Sequence, residues 1–319
     1  MSKFTKALER IQKEKEKEKH LPEKQPSDFS VSAELEERST SWERGVPNFR
    51  NAKPDKRIVS YHFPNSLITE QYRMLRTNLK TEMAKGQAKV ILISSAIHGE
   101  GKTITAANLA HSLAEMENCK VLLVDADLRR GKVADYLGLG KDLPGLTDLL
   151  SKNLASKEIM VRNSVPNLFI LPCGPVAKNP SELVGSHRFR TLIKELRNRF
   201  DYVLIDSPPI MSVADASILA RETDGLLMVI QARRTPKTVV AHANQLFKQS
   251  DVRLLGYVLT NVEYQSADYH YYYHYYSLDG TAKNDFKAKS RFFFRKALIR
   301  FEKMEQSLNR WWQKKVFHE

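Results

Sequence analysis

Six short runs of consecutive apolar residues recur along the middle of the chain: Val90–Ile93, Val121–Val124, Leu168–Leu171, Tyr202–Ile205, Leu226–Ile230 and Tyr257–Leu259. A strand with one wet face alternates apolar and polar residues. These runs do not alternate, so both of their faces must be covered, as in a parallel sheet flanked by helices. The segments between them, Thr103–Met116, Phe189–Arg199, Ala214–Arg221 and Thr238–Lys248, have the length and spacing of crossover helices. Strand then helix, repeated, predicts one α/β domain with a mostly parallel central sheet over residues 61–263. No apolar run approaches the roughly 18 residues needed to cross a bilayer, and the charged N-terminus lacks the apolar core of a signal peptide. The expectation is a chain that neither spans a membrane nor is exported. Cys119 and Cys173 stand far apart without metal-ligand spacing, which fits a reducing compartment rather than a disulfide framework or a zinc site.

The flanks differ from this core. Residues 1–60 hold a short amphipathic start (Phe4, Leu8, Ile11), an alternating Lys/Glu run and then polar sequence broken by Pro22, Pro26, Pro47 and Pro54, which predicts a charged, mobile arm. Seven of the twelve tyrosines fall in Tyr264–Tyr276, within a segment, residues 264–286, that has no packing period and reads as a loop or tail. Residues 287–319 regain helical spacing at Phe294, Leu298, Phe301, Met304, Leu308 and Trp311 or Trp312, which predicts a basic amphipathic helix. The net charge of +14 suggests nucleic acid at first. Its distribution does not: the arm, the core to residue 286 and the last 33 residues carry +3, +4 and +7. Nucleic acid is therefore not an expected partner of the nearly balanced core.

The strongest chemical signal is Ser94-Ser95-Ala96-Ile97-His98-Gly99-Glu100-Gly101-Lys102-Thr103, directly after one strand and before a helix. In a P-loop, backbone N–H groups wrap a nucleotide's phosphates, the helix N-terminus adds its positive dipole, the lysine reaches the outer phosphates and the hydroxyl takes Mg²⁺. Gly99 and Gly101 give the backbone the freedom that the wrap needs. Ala96 stands where G-x-x-x-x-G-K-[ST] has its first glycine, and the alternative is a strand-to-helix turn that happens to contain Gly-Lys-Thr. Two acidic strand ends support the P-loop. Val121–Asp127 ends in Asp125 and Asp127, and Val203–Pro209 carries Asp206. The carboxyl ends of parallel strands open on one edge, from which the P-loop also leaves, so the three carboxylates should converge on the phosphates. There they can hold Mg²⁺ or accept a proton from an attacking hydroxyl.

These residues resemble the bacterial tyrosine kinases of exopolysaccharide and capsule assembly, relatives of the ParA/MinD ATPases within the P-loop class. The resemblance spans roughly residues 61–276. The glycine loop is similar to the family's Walker A, Leu122–Arg129 to its second acidic motif (Walker A′), Asp206-Ser207-Pro208-Pro209 to its Walker B, and Asn179–Leu183 to a family segment read as a helix start. Partition and septum-placement ATPases carry a signature lysine where this chain has Ile97, and they lack a tyrosine tail. The resemblance implies that Lys102 and the backbone of Gly99, Glu100, Gly101, Lys102 and Thr103 bind ATP, and that Thr103 and Asp206 hold Mg²⁺. It also implies that Asp125 and Asp127 complete the metal shell or activate the tyrosine, two roles that stay undivided. Asn261 falls where relatives place an adenine-binding asparagine, although an ordinary strand-end asparagine reads the same way.

Three further expectations follow from the resemblance. The tyrosines Tyr264, Tyr269, Tyr271, Tyr272, Tyr273, Tyr275 and Tyr276 match its autophosphorylation tail. Glu70, Arg73 and Arg76 share one face of a helix striped by Tyr72, Leu75 and Leu79; the residues alone allow a solvated, internally paired ridge, and the resemblance implies a ring-forming contact. A separate transmembrane activator of the polysaccharide co-polymerase type is implied, which puts the protein in the cytoplasm at the inner face of the membrane. The basic segment 287–319 is expected either to stay solvated or partner-docked, or to meet anionic lipid at about 1 kcal/mol per basic residue. The reading from another class is a nucleotide-switched ATPase scaffold whose tyrosines only bind partners.

Overall fold

The structure is a computed structural model that describes residues 43, 45–49, 51–84, 89–140, 142–152 and 154–262, with the backbone of 297–299. The elements run α1 (Val59–His62), α2 (Leu67–Ala84), β1 (Val90–Ser95), α3 (Lys102–Ala114), β2 (Val121–Asp125), α4 (Val133–Leu137), α5 (Leu146–Lys152), β3 (Val161–Arg162), β4 (Leu168–Leu171), α6 (Pro180–Val184), α7 (His187–Arg199), β5 (Tyr202–Asp206), α8 (Asp215–Ala220), β6 (Gly225–Gln231), α9 (Lys237–Lys248), β7 (Leu254–Thr260) and β8 (Ala297–Ile299). The sheet order is β3-β4-β2-β5-β1-β6-β7-β8. All six expected strands are present and run parallel; the short edge strands β3 and β8 are antiparallel.

Burial explains why the apolar runs are continuous. Every residue of β1 and β2 is buried. Alternate positions (Ile91, Ile93, Leu123, Leu204, Leu227) enter one core with α2 and α3. The positions between them (Leu92, Leu122, Val203) are equally buried and lie on the side covered by α7 and α8. Helix α3 is buried from Thr103 through Ala114, so it is a core helix rather than an amphipathic one. Helix α2 buries Tyr72, Leu75 and Leu79, as its stripe predicts.

Two boundaries differ from the sequence reading. The folded unit begins at Gly45, not at residue 61. Phe49 N–H bonds the Arg162 carbonyl at 2.8 Å and Arg162 N–H bonds the Pro47 carbonyl at 2.8 Å, so this strap runs along β3. Ile58 and Val59 are buried in the α3 core, and the Asn108 amide clamps the strap by accepting from Ser60 N–H at 3.0 Å and donating to the Arg57 carbonyl at 2.9 Å. Prolines forbid a regular element there but not an extended strap with apolar anchors. The second difference lies in the basic segment. At Ala297–Ile299, where spacing predicts a helix, the backbone pairs antiparallel with β7, whose open edge offers unpaired hydrogen-bonding groups. The tyrosine cluster from Tyr264 to Tyr276 lies outside the described residues.

If the strap is part of the core, Ile58→Ala should lower unfolding free energy in chemical denaturation by about 2–5 kcal/mol. A loose arm would give a change within about 0.5 kcal/mol.

Candidate active site

The register of the sheet brings the acidic strand ends together. β5 lies between β2 and β1, with Asp206 opposite Asp125 on one side and opposite Ile93 on the other. Ala126 N–H bonds the Asp206 carbonyl at 2.8 Å, tying the two ends. From β1 the chain enters the loop, where Gly99 and Gly101 hold φ of +80° and +95°, the left-handed region that a side chain resists. Gly101 caps α3 without any side-chain hydrogen bond, so the first N–H groups of a 13-residue helix are left for an anion.

Lys102 stands between the carboxylates, its Nζ 3.4 Å from Asp127 Oδ2, 3.9 Å from Asp206 Oδ1 and 3.4 Å from Thr103 Oγ1. Burial works against its ammonium, but Asp206, Asp127 and Asp125 outweigh it and raise the pKa. The three carboxylates are not equivalent. Asp125 is fully buried with both oxygens used, Oδ2 accepting from Val133 N–H at 3.0 Å and Oδ1 from Asp127 N–H at 3.2 Å. Burial, then Asp206, push its carboxyl up to about 7. Asp127 accepts from Arg130 N–H at 3.0 Å and from Lys102. Asp206 is buried and neither of its oxygens has a hydrogen-bond partner; burial raises it to about 6 against the pull of the Lys102 ammonium. An orphaned buried carboxylate next to a threonine hydroxyl fits a hard cation that takes few protein ligands and completes its shell with phosphate and water. Among the described residues no group of three or more His, Cys, Asp or Glu forms a ready-made metal cage.

The Glu100 side chain does not face the phosphates. It is buried, with Oε2 accepting from Ile97 N–H at 2.8 Å and Oε1 from Gln231 N–H at 3.1 Å and the Thr235 hydroxyl at 2.5 Å. Its carbonyl accepts from Thr260 Oγ1 at 2.6 Å. The loop is thus fastened to the ends of β6 and β7, and only the backbone of Glu100 is left for a ligand. Asn261 follows Thr260 directly in the left-handed conformation (φ 57°), so it sits on this same edge.

Several contacts at the site join residues whose meeting the sequence does not show. Arg129 forks onto the buried Asp215 at 2.9 and 3.2 Å and reaches Ser181 Oγ at 3.2 Å, and Ser181 also bonds Asp215. This joins the segment after β2 to the starts of α6 and α8. Asn179–Leu183 is the helix start expected of it, with Pro180 in the first turn of α6. Half-buried Cys173, raised to about 12 by burial and then Asp125, is a neutral wall beside the carboxylates. Arg234 lies against Gly99.

On the other side, Glu70, Arg73 and Arg76 do share one ridge. Arg73 bonds Glu70 at 3.0 Å, both arginines approach Glu115 at 3.6 Å, and Arg76 donates to the Ser112 carbonyl at 2.6 Å. Within one chain the ridge is internally paired. Burial, then Arg73, hold the neighbouring His111 down at about 4, so it stays neutral and leaves Glu115 to the arginines.

A family model described as an AAA domain matches residues 88–249. The tyrosine-protein kinase YwqD of Bacillus subtilis (strain 168) is 36% identical over 224 residues, covering 70% of this chain and 94% of that protein. The putative tyrosine-protein kinase CapB of Staphylococcus aureus is 35% identical over 214 residues, covering 66% and 92%. The chain belongs to the bacterial tyrosine-protein kinases. The kinase domain of Escherichia coli tyrosine kinase ETK superposes with a TM-score of 0.61 at 27% identity, over 70% of this chain and 85% of that one. The fold is that of a P-loop ATPase, and the membership carries nucleotide binding with it. Among the described residues no helix is long and apolar enough to cross a membrane.

Asp206→Asn removes the orphaned charge. In chelating buffer without nucleotide the variant should unfold at a higher denaturant midpoint, with an unfolding free energy larger by about 1–3 kcal/mol. An unchanged or lower midpoint contradicts the geometry.

Proposed function

We propose that the chain is an ATP- and Mg²⁺-dependent protein-tyrosine autokinase that phosphorylates its own C-terminal tyrosine cluster and so controls exopolysaccharide or capsule production. The observation that carries this is Lys102 held between Asp127 and Asp206 at the uncapped start of α3. The N–H groups of Gly99 to Thr103 and the Lys102 ammonium bind the phosphates, and Asn261 bonds the adenine. Thr103 and Asp206 hold Mg²⁺, which neutralises the charge on the transferring group when bound. A tyrosine oxygen forms a bond to the γ-phosphorus, the bond from that phosphorus to the β–γ bridging oxygen breaks, and ADP leaves. The phenolic proton passes to Asp125 or Asp127.

The ridge of Glu70, Arg73 and Arg76 is the surface for ring assembly, in which exchanging the internal partner Glu115 for a neighbour's carboxylate would present one subunit's tyrosines to the next. Seven phosphotyrosines add roughly −10 to −14 charge, enough to repel neighbouring tails and loosen a ring, which makes phosphorylation a signal for disassembly. A separate transmembrane activator of the polysaccharide co-polymerase type would hold the kinase at the inner face of the membrane. The basic residues of 287–319 would add contact with anionic lipid.

Incubation with ATP and Mg²⁺ in the presence of the activator should give anti-phosphotyrosine signal in the wild type. That signal should be lost in Lys102→Ala and in a chain with Tyr264, Tyr269, Tyr271, Tyr272, Tyr273, Tyr275 and Tyr276 changed to Phe. ATP hydrolysis without tyrosine labelling would instead support a nucleotide-switched scaffold.

A further inference from the structure

We propose that Arg234, in the turn between β6 and α9, is a second cation for the nucleotide, contacting the terminal phosphate from within the same chain. The guanidinium lies directly on the loop: a Cβ placed on Gly99 would come within 2.8 Å of Nη1 and 3.5 Å of Nη2. Gly99 is exposed at the mouth of the loop, ahead of the helix start at Gly101. A group resting on it meets the end of a phosphate chain that projects from the cradle. The absence of a side chain at Gly99 therefore serves two purposes, the left-handed turn and room for the arginine.

The charge of Arg234 is uncompensated. Among the described residues the guanidinium makes one hydrogen bond, from Nη1 to the neutral Gln231 Oε1 at 2.9 Å, and has no carboxylate partner. Other arginines differ: Arg129 is paired with Asp215, Arg190 with Glu222, Arg197 with Asp224 and Arg253 with Glu82. An exposed guanidinium without a counter-charge, laid on an anion-binding loop, presents a planar fork of donors matched to two phosphate oxygens. Its position is also fixed relative to the cradle. Gln231 N–H and the Thr235 hydroxyl, on either side of it in the turn, both bond Glu100 of the same loop. The turn and the loop therefore form one unit, and the guanidinium needs only a rotamer change to exchange Gln231 for phosphate. Electrostatic stabilisation of the transferring phosphoryl group is the term that such a cation supplies.

This inference rests on the nucleotide reading of the site, and the test separates the two. Calorimetric titration of the full chain with Mg·ADP and with a Mg-bound non-hydrolysable ATP analogue is carried out on wild type, Lys102→Ala, Arg234→Ala and Arg234→Lys. Arg234→Ala should bind ADP within about twofold of wild type and the triphosphate analogue about tenfold or more weakly, with an unchanged thermal midpoint. Arg234→Lys should recover part of the loss, and Lys102→Ala should weaken both ligands. If Arg234→Ala binds both nucleotides like wild type, or loses both equally, Arg234 has no role at the terminal phosphate. If wild type binds neither, the nucleotide reading itself fails.

Discussion

Everything at the nucleotide edge depends on one buried carboxylate, that of Glu100. A loop rich in glycine gains its anion-binding shape at an entropic cost, because φ values of +80° and +95° must be fixed at Gly99 and Gly101. Glu100 offsets that cost from the protein side. It accepts one bond from inside the loop, at Ile97, and two from the β6–α9 turn, while its carbonyl takes a third external bond from Thr260. Bonds to a charged acceptor are worth more than neutral ones, and leaving any of them unmade in a dry site is expensive. The loop is thus shaped before a ligand arrives, and the ends of β6 and β7 are held in register with it. Asn261 and Arg234 inherit their positions from that fastening.

Against this rigid edge, the acidic centre is held in an unfavourable state. The pairing of β5 with β2 brings Asp206 and Asp125 side by side in the driest part of the sheet edge, and Lys102 is the counter-charge the protein supplies. Burial first, and the neighbouring carboxylates after it, raise the proton affinities of Asp125 and Asp206, and one lysine does not offset them. A bound cation would relieve Asp206, whose oxygens have no other partner. Strain of this kind at a site, beside strands β1 and β2 with every residue buried, is a common division between function and stability.

The core was legible because continuous apolar runs have one structural meaning when helix-length segments separate them. For the same reason, the convergence of Asp125, Asp206 and Lys102 followed from topology alone: strand ends in a parallel sheet share an edge. What stayed hidden depends on contacts between residues distant in sequence. Nothing in the spacing of Glu100, Gln231, Thr235 and Thr260 shows that they meet, nor that Arg129, Ser181 and Asp215 form one cluster. Residues 45–60 looked like an arm because their polar, proline-broken composition outweighed a few apolar residues, yet the buried Val46, Ile58 and Val59 suffice to anchor the strap. Local periodicity misled at Ala297–Ile299, where the open edge of β7 decides the backbone. The ridge of Glu70, Arg73 and Arg76 was visible as a ridge, but its internal partner Glu115 belongs to the far end of another helix.

Glu100 is the brace on which the shape of the phosphate loop rests. Measuring Mg·ATP affinity in Glu100→Ala, whose carboxylate points away from the ligand, decides it. The variant should remain folded and bind nucleotide at least about tenfold more weakly, the equivalent of losing one to two charge-assisted hydrogen bonds that hold the loop. Wild-type affinity in that variant would contradict the account.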